Sequence, residues 1–348
     1  MANPYQQQPD RAFWGRAVAR LDPADVDPVA QARFQIHAGE KVASAGSCFA
    51  QHIGRAIASR GFDYLVTETG EPERQFGVYP ARFGNLYTPR QLLQLFQRAY
   101  GLFLPHDVAW VKKDAPDRLV DPFRPQIEPE GFAIIEALNA DRELHLAAVR
   151  RMFETMDVFI FTLGLTESWL STEDGAVFPL APGVVGNPGY PDQYRRHNFT
   201  VQEICDDMAS LIEKARILRP ELKVILTVSP VPLIATFTDE HVLTATTYSK
   251  SVLRVAAGEL GRRLKNVDYF PSYEIITGQH NGHRFLNEDL RSIRPEGVAQ
   301  VIRVFGRHYL SDEAAPDRKV TSRQPIMNRN EEIAAIGSVV CDEEAIVR

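Results

Sequence analysis

Five short apolar runs alternate with helical patterns between residues 41 and 309, and this alternation limits the fold more than any other feature. The runs are Lys41–Ala45, Phe62–Val66, Met156–Leu163, Lys223–Ser229 and a strand inside Val267–Glu274. Each is short and mostly apolar, as strands buried on both faces are. The helical patterns run over Ala50–Ser59, Arg90–Tyr100, Asp141–Glu154, Thr200–Leu218 and Thr244–Leu264, and Pro295 opens one more to Tyr309. Thr88-Pro89 supplies an N-cap with proline at the first helical position, and Thr200 with Glu203 has capping-box spacing. Strand and helix in regular alternation give a parallel sheet covered by helices on both faces. The expected fold is therefore α/β: a three-layer α/β/α sandwich around a mostly parallel five-stranded sheet with long loop insertions. Residues 1–40 read as an arm laid over the core, 41–310 as the α/β domain and 311–348 as a tail or surface excursion.

The alternation also says where a site belongs. Ligands of open parallel sheets bind at the carboxyl ends of the strands. Four segments fall on that edge: Gly46-Ser47-Cys48, Gly84-Asn85, Gly164-Leu165-Thr166-Glu167, and the loop carrying His280, His283 and Asp289. Ser47 stands between the end of the first strand and the start of the first helix. A serine held there can act as a nucleophile, with neighbouring N–H groups stabilising an oxyanion. The alternative for the same letters is a turn of small residues with a capping serine. Cys48 at a helix start is either a second nucleophile or a small residue packing helix on sheet. Loop arginines, Arg82, Arg124, Arg195 and Arg196, are candidate contacts for an anionic sugar or a phosphate, or simply solvated charges.

Composition removes several classes. The net charge is −6, which speaks against a nucleic-acid surface. No run of eighteen apolar residues is present, so no membrane span is expected, and the amino terminus lacks a basic-then-apolar leader. Three widely separated cysteines, Cys48, Cys205 and Cys341, fit a reducing compartment, with the cytoplasm the expected location. No metal-ligand spacing, P-loop or Gly-x-Gly-x-x-Gly occurs, so neither a metal nor a cofactor is expected. Substrate is expected to be the partner, with no nucleic acid and no membrane span.

Six ordered blocks carry a family resemblance. They are Gly46-Ser47-Cys48-Phe49-Ala50, Phe83–Thr88, Asp121-Pro-Phe-Arg-Pro125, Thr162–Trp169, Ser229-Pro-Val-Pro232 and Tyr248-Ser-Lys-Ser-Val-Leu-Arg254. The chain resembles the GSCFA family in these blocks, over roughly residues 40 to 305. That family is grouped with the SGNH hydrolases. The resemblance implies a flavodoxin-like sandwich and serine ester chemistry on carbohydrate or small acyl esters. Ser47 matches the SGNH serine and Gly84 the second-block glycine. Gly164-Leu165-Thr166-Glu167 has threonine where those enzymes carry an oxyanion asparagine, so Asn85 or Thr166 would take that part. Asp289 and Gly297 fit the last block, but its histidine position holds Ser292, and a serine is no base near neutral pH. The base must then come from elsewhere: His241 first, His283 next, with Asp289 orienting the imidazole. Gly164, Glu167, Arg124 and His197 remain as candidate substrate contacts. Three readings stay open: an ester hydrolase, a polysaccharide O-acyltransferase using the same serine, and a non-catalytic carbohydrate-binding protein that lost the histidine.

Overall fold

A computed structural model describes residues 3–311, 339 and 341–347. In chain order the main elements are β1 (Val42–Gly46), α1 (Ala50–Ser59), α2 (Pro89–Ala99), β2 (Trp110–Lys112), β3 (Ala115–Val120), α3 (Ile135–Thr155) and β4 (Val158–Leu163). There follow β5 (Glu167–Ser171), β6 (Val177–Phe178), β7 (Gly186–Asn187), β8 (Tyr194–Asn198), α4 (Val201–Leu218) and β9 (Lys223–Val228). The remainder is α5 (Val242–Arg263), β10 (Val267–Phe270), α6 (Ser272–Thr277), α7 (Pro295–Tyr309) and a short 3-10 turn, Asp342–Val347.

The central sheet is parallel, with strand order β1-β4-β9-β10. β4 shows why the apolar runs look continuous. Phe159, Phe161 and Leu163 point into one core with Ala43, Ala45, Val224 and Leu226, beneath residues of α2–α5. Val158 and Ile160 point the other way, with Val42, Ile225 and Phe270, against α1, α6 and α7. Both faces of each strand are covered, so period-two alternation of polarity disappears. The result is an α/β sandwich with helices on both sides. Both capping boxes form: Thr88 with Gln91 on α2, and Thr200 with Glu203 on α4.

The expected fifth strand, Phe62–Val66, is reduced to one parallel bridge between Tyr64 and Val42. Val42 N–H donates to Asp63 O and Leu65 N–H to Val42 O, both at 2.8 Å. The chain then leaves the edge, because Thr67 N–H turns to Pro80 O at 2.6 Å. The long connections also differ from plain loops. β2, β3 and β7 make one small antiparallel sheet, and β5, β6 and β8 another. Glu167–Ser171 is thus strand, paired with Tyr194–Asn198, because Leu170 and Ser171 are buried beside a core that takes Leu170 and Val177. α3 begins six residues before the expected Asp141, at Ile135, and buries Leu138 in that extra turn.

The arm before β1 lies against α7. Ile36 N–H donates to Tyr309 O, Gln300 Nε2 donates to Ala24 O, and Asp27 accepts from Arg307 and pairs with His308. Most of the expected tail, 312–338, lies outside the described residues. Among the described residues no helix is long and apolar enough to cross a membrane.

Candidate active site

The site is built at the carboxyl ends of β1 and β4. Gly46 ends β1 with φ +139°, and a Cβ there would stand 2.4 Å from Thr162 O. Only glycine lets β1 turn this tightly against β4. Ser47 follows, 3 % exposed, its own N–H donating to Thr162 O at 3.2 Å. Its Oγ has no hydrogen-bond partner. A buried hydroxyl without a partner carries a desolvation cost that proteins rarely leave in place. Gly164, at the end of β4, leaves the space beside it open: a Cβ there would sit 3.3 Å from Ser47 Cβ and 2.9 Å from the Tyr87 ring.

Asn85 is held in one orientation. Its Oδ1 accepts from Tyr79 Oη at 2.9 Å and from Gln51 Nε2 at 3.3 Å. Tyr79 Oη also contacts the carbonyls of Gly46 and Ser47, at 3.2 and 3.0 Å. With Oδ1 occupied twice, Nδ2 must face the cleft, where it donates to Asp342 Oδ2 at 2.9 Å. The Asn85 backbone N–H donates to the same carboxylate. Two donors therefore converge on one carboxylate.

Lys250 enters from α5 and is 2 % exposed. Its Nζ donates to Gly164 O at 2.5 Å. Burial lowers its pKa from 10.5 to about 8, so the neutral amine is within reach near physiological pH. Ser47, Cys48, Tyr87, Gly164, Lys250 and Glu343 line one pocket of about 10 Å³, room for a single water. Beside it opens a cleft of about 210 Å³, bordered by Trp169, Phe178, Glu167, Phe237, Glu343 and Ile346.

All nine histidines of the chain lie among the described residues, and none reaches Ser47 Oγ. His241 is the exposed N-cap of α5, its Nδ1 accepting from Leu243 N–H at 3.2 Å. His283 is exposed in a left-handed turn, φ +64°. Asp289 faces no imidazole. Its carboxylate accepts from Ser292 Oγ at 2.6 Å and from the N–H groups of Arg291 and Ser292 at 3.0 Å, which together hold its pKa below the usual carboxylate value. The turn this makes sends Arg291 toward the cleft, where it donates to Glu343 at 2.8 Å. The expected triad of Ser47, a histidine and Asp289 is thus not brought together.

The other candidates divide. Gly84, φ +71°, lies 4.0 Å from Asp342 measured from a built Cβ, and Asn85 meets that same carboxylate. Thr166 is committed elsewhere: its N–H donates to Ser249 Oγ at 3.0 Å and its Oγ1 to Asn198 at 2.6 Å. Glu167 borders the larger cleft and accepts from Thr236 Oγ1 and Phe237 N–H, at 2.6 and 3.1 Å. Arg124 pairs with the buried Asp121 at 3.0 Å and the half-buried Asp141 at 2.8 Å. His197 pairs with Glu203 at 2.8 Å at the start of α4. Among the described residues no cluster of His, Cys, Asp or Glu is suited to a metal ion.

A scan of protein-family models matches residues 41–305 to the GSCFA family. This chain belongs to the GSCFA family. None of the curated proteins matches it. The GSCFA match runs from the residue before β1 into α7, and so spans Ser47, Asn85, Lys250 and Arg291. It leaves out Cys341–Val347, although that segment supplies Asp342 and Glu343 to the site. Lys250 lies inside the Tyr248–Arg254 block, where no site role was expected of it. The signal for it was a lysine on α5 among Ala245, Ser249, Val252, Leu253 and Ala256, all of which are buried.

Proposed function

We propose that this GSCFA protein is a serine acyl-transfer enzyme of SGNH type, acting on acyl esters of carbohydrates or similar small esters. The observation that carries the reading is Ser47 Oγ, buried and unpartnered, sharing one pocket with the Lys250 amine. Lys250, neutral in part near pH 8, takes the Ser47 proton as Oγ attacks the ester carbonyl. The tetrahedral oxyanion is met by Asn85 N–H and Nδ2, the donors that now hold a carboxylate. The Lys250 ammonium returns its proton to the departing alcohol. Water or a sugar hydroxyl then attacks the acyl-serine, which separates hydrolase from transferase. Serine–lysine pairs do this chemistry on other folds, so the missing histidine is not decisive. Trp169 and Phe237 beside the polar Glu167, Ser168 and Thr236 make the larger cleft suited to a sugar ring. The flavodoxin-like reading of the fold is supported by the bridge at Tyr64, which lies where strand order 2-1-3-4-5 has its second strand.

The test is labelling by a fluorophosphonate probe with peptide mapping. The reading expects the label on Ser47, none in Ser47→Ala, and turnover of a short acyl ester that vanishes with it. A second reading, a carbohydrate-binding protein without catalysis, is favoured by Ser47 Oγ having neither a histidine nor the Lys250 amine in hydrogen-bond contact. Sugar binding without labelling in reduced, folded protein would establish that reading instead.

A further inference from the structure

The pocket around Ser47 is too small for any ester, and what fills it is the chain itself. Asp342 and Glu343 are 6 % and 7 % exposed, far from ordinary for adjacent carboxylates. Asp342 occupies the two donors of Asn85. Glu343 closes the Ser47 pocket, paired with Arg291 at 2.8 Å. Ile346 lies along the larger cleft. One residue before Asp342, Cys341 Sγ lies 3.4 Å from Cys48 Sγ, and Cys48 is the neighbour of Ser47.

We propose that Cys341–Val347 is an internal plug of the Ser47 cleft, and that a Cys48–Cys341 disulfide, formed by exchange with glutathione disulfide, locks it shut. This regulates the site described above and rests, for its effect on catalysis, on that reading. The plug puts a carboxylate where the oxyanion would form and excludes substrate from Ser47. Two sulfurs already in contact need little movement to reach bonding distance. Cys341 is the more accessible thiol, half-buried where Cys48 is buried. The contact between the two thiols, with Arg291 nearby, draws Cys341 toward the thiolate, and the same contact together with burial keeps the proton on Cys48. In the exchange, Cys341 thiolate attacks one sulfur of glutathione disulfide and expels glutathione thiolate. That thiolate takes the Cys48 proton, Cys48 attacks the Cys341 sulfur, and a second glutathione leaves. Two protein thiols are oxidised and one glutathione disulfide is reduced. A reductant reverses both steps.

The experiment treats the full chain with glutathione disulfide, blocks free thiols with iodoacetamide, and maps peptides. The expected product is a Cys48–Cys341 bridged peptide with Cys205 alkylated. Fluorophosphonate labelling of Ser47 falls by roughly a hundredfold in the bridged form and returns with dithiothreitol. Cys341→Ser keeps its own reduced labelling rate in glutathione disulfide. A second variant, Glu343→Lys, sets an ammonium against Lys250 and Arg291 and opens the plug. It is expected to speed alkylation of Cys48 by roughly tenfold or more in reduced protein. The proposal is overturned if Cys48 and Cys341 carry only separate glutathione adducts, or if Cys341→Ser loses labelling as the wild type does. It is equally overturned if Glu343→Lys leaves Cys48 alkylation unchanged. Failure of every form to label at Ser47 would sink the acyl-transfer reading alone, because the bridged peptide and the alkylation rate do not depend on it.

Discussion

Lys250→Met separates a catalytic lysine from a structural one, because the two roles move stability and activity in opposite directions. Methionine keeps most of the volume and removes the amine. Lys250 is fully enclosed, and burial takes its pKa from 10.5 to about 8. A base whose folded pKa is depressed penalises the folded state at every pH below that folded value. The penalty fades as pH rises toward 10.5, where the amine is neutral in both states. At pH 7 the drop corresponds to about 3 kcal/mol against folding. The variant also loses the hydrogen bond to Gly164 O, worth about 1 kcal/mol. Lys250→Met is therefore expected to be more stable by about 2 kcal/mol at pH 7, with the gain gone by about pH 10. Urea unfolding at the two pH values measures this. Fluorophosphonate labelling of Ser47 should fall about 10²- to 10⁴-fold, the usual share of a general base. In the wild type about one molecule in ten holds the neutral amine at pH 7, so labelling should climb about tenfold by pH 9 and then level off. A variant that labels at the wild-type rate would refute the assignment of the base. A variant that unfolds by several kcal/mol would show that the ammonium is part of the scaffold.

Three further outcomes follow from the same geometry. Gly46→Ala must place a methyl 2.4 Å from Thr162 O at φ +139°, and unfolding experiments should show a loss of about 3 kcal/mol or more. Arg124→Met leaves the fully buried Asp121 short of its main partner and should cost about 3–5 kcal/mol, while KM of the folded fraction stays unchanged if Arg124 does not touch substrate. Burial raises Asp342 from 3.8 to about 6 in the closed plug, so closing takes up a proton and is favoured at low pH; protection of the Cys341–Val347 amides from hydrogen exchange, corrected for intrinsic rates, should fall as pH rises through 6, by up to about 3 kcal/mol. Glu343, also raised by burial despite Arg291 and Lys250, adds with the same sign, and protection that holds constant or grows with pH would contradict the sign of both.

The parts of the molecule legible in the sequence are those that local chemistry decides. β1, β4, β9 and β10 are apolar on both faces, and no other environment suits them. Thr88 and Thr200 cap helices through bonds that span three residues. Of the small antiparallel strands, β7 and β8 find partners far away in sequence, Asn187 with Val111 and Asn198 with Glu167, while β2–β3 and β5–β6 are local hairpins too short for their composition to mark them as strands. The edge run at Phe62–Val66 has strand composition but loses its pairing after one bridge, and propensity carries no information on where the next hydrogen bond goes.

The site follows the same division, and its two halves differ for a physical reason. Ser47, Gly46 and Gly164 announce themselves because a tight turn between packed strands admits only small residues. The partner of a candidate nucleophile obeys no such local rule. A base can come from any element whose side chain reaches the pocket, and here a lysine reaches it from α5, 203 residues after Ser47 in the chain. Residue type alone points to histidines, because histidine titrates near neutral pH without help. Lysine needs burial to do so, and burial is a tertiary property: Lys250 becomes a candidate base only once α5 packs against the end of β4 and its amine meets Gly164 O. The same holds for Asp342 and Glu343. In the sequence they are acidic residues near the end of a charged stretch, and ordinary solvated charge describes them. Their burial over Ser47, against Asn85 and Arg291, makes that charge part of the candidate site.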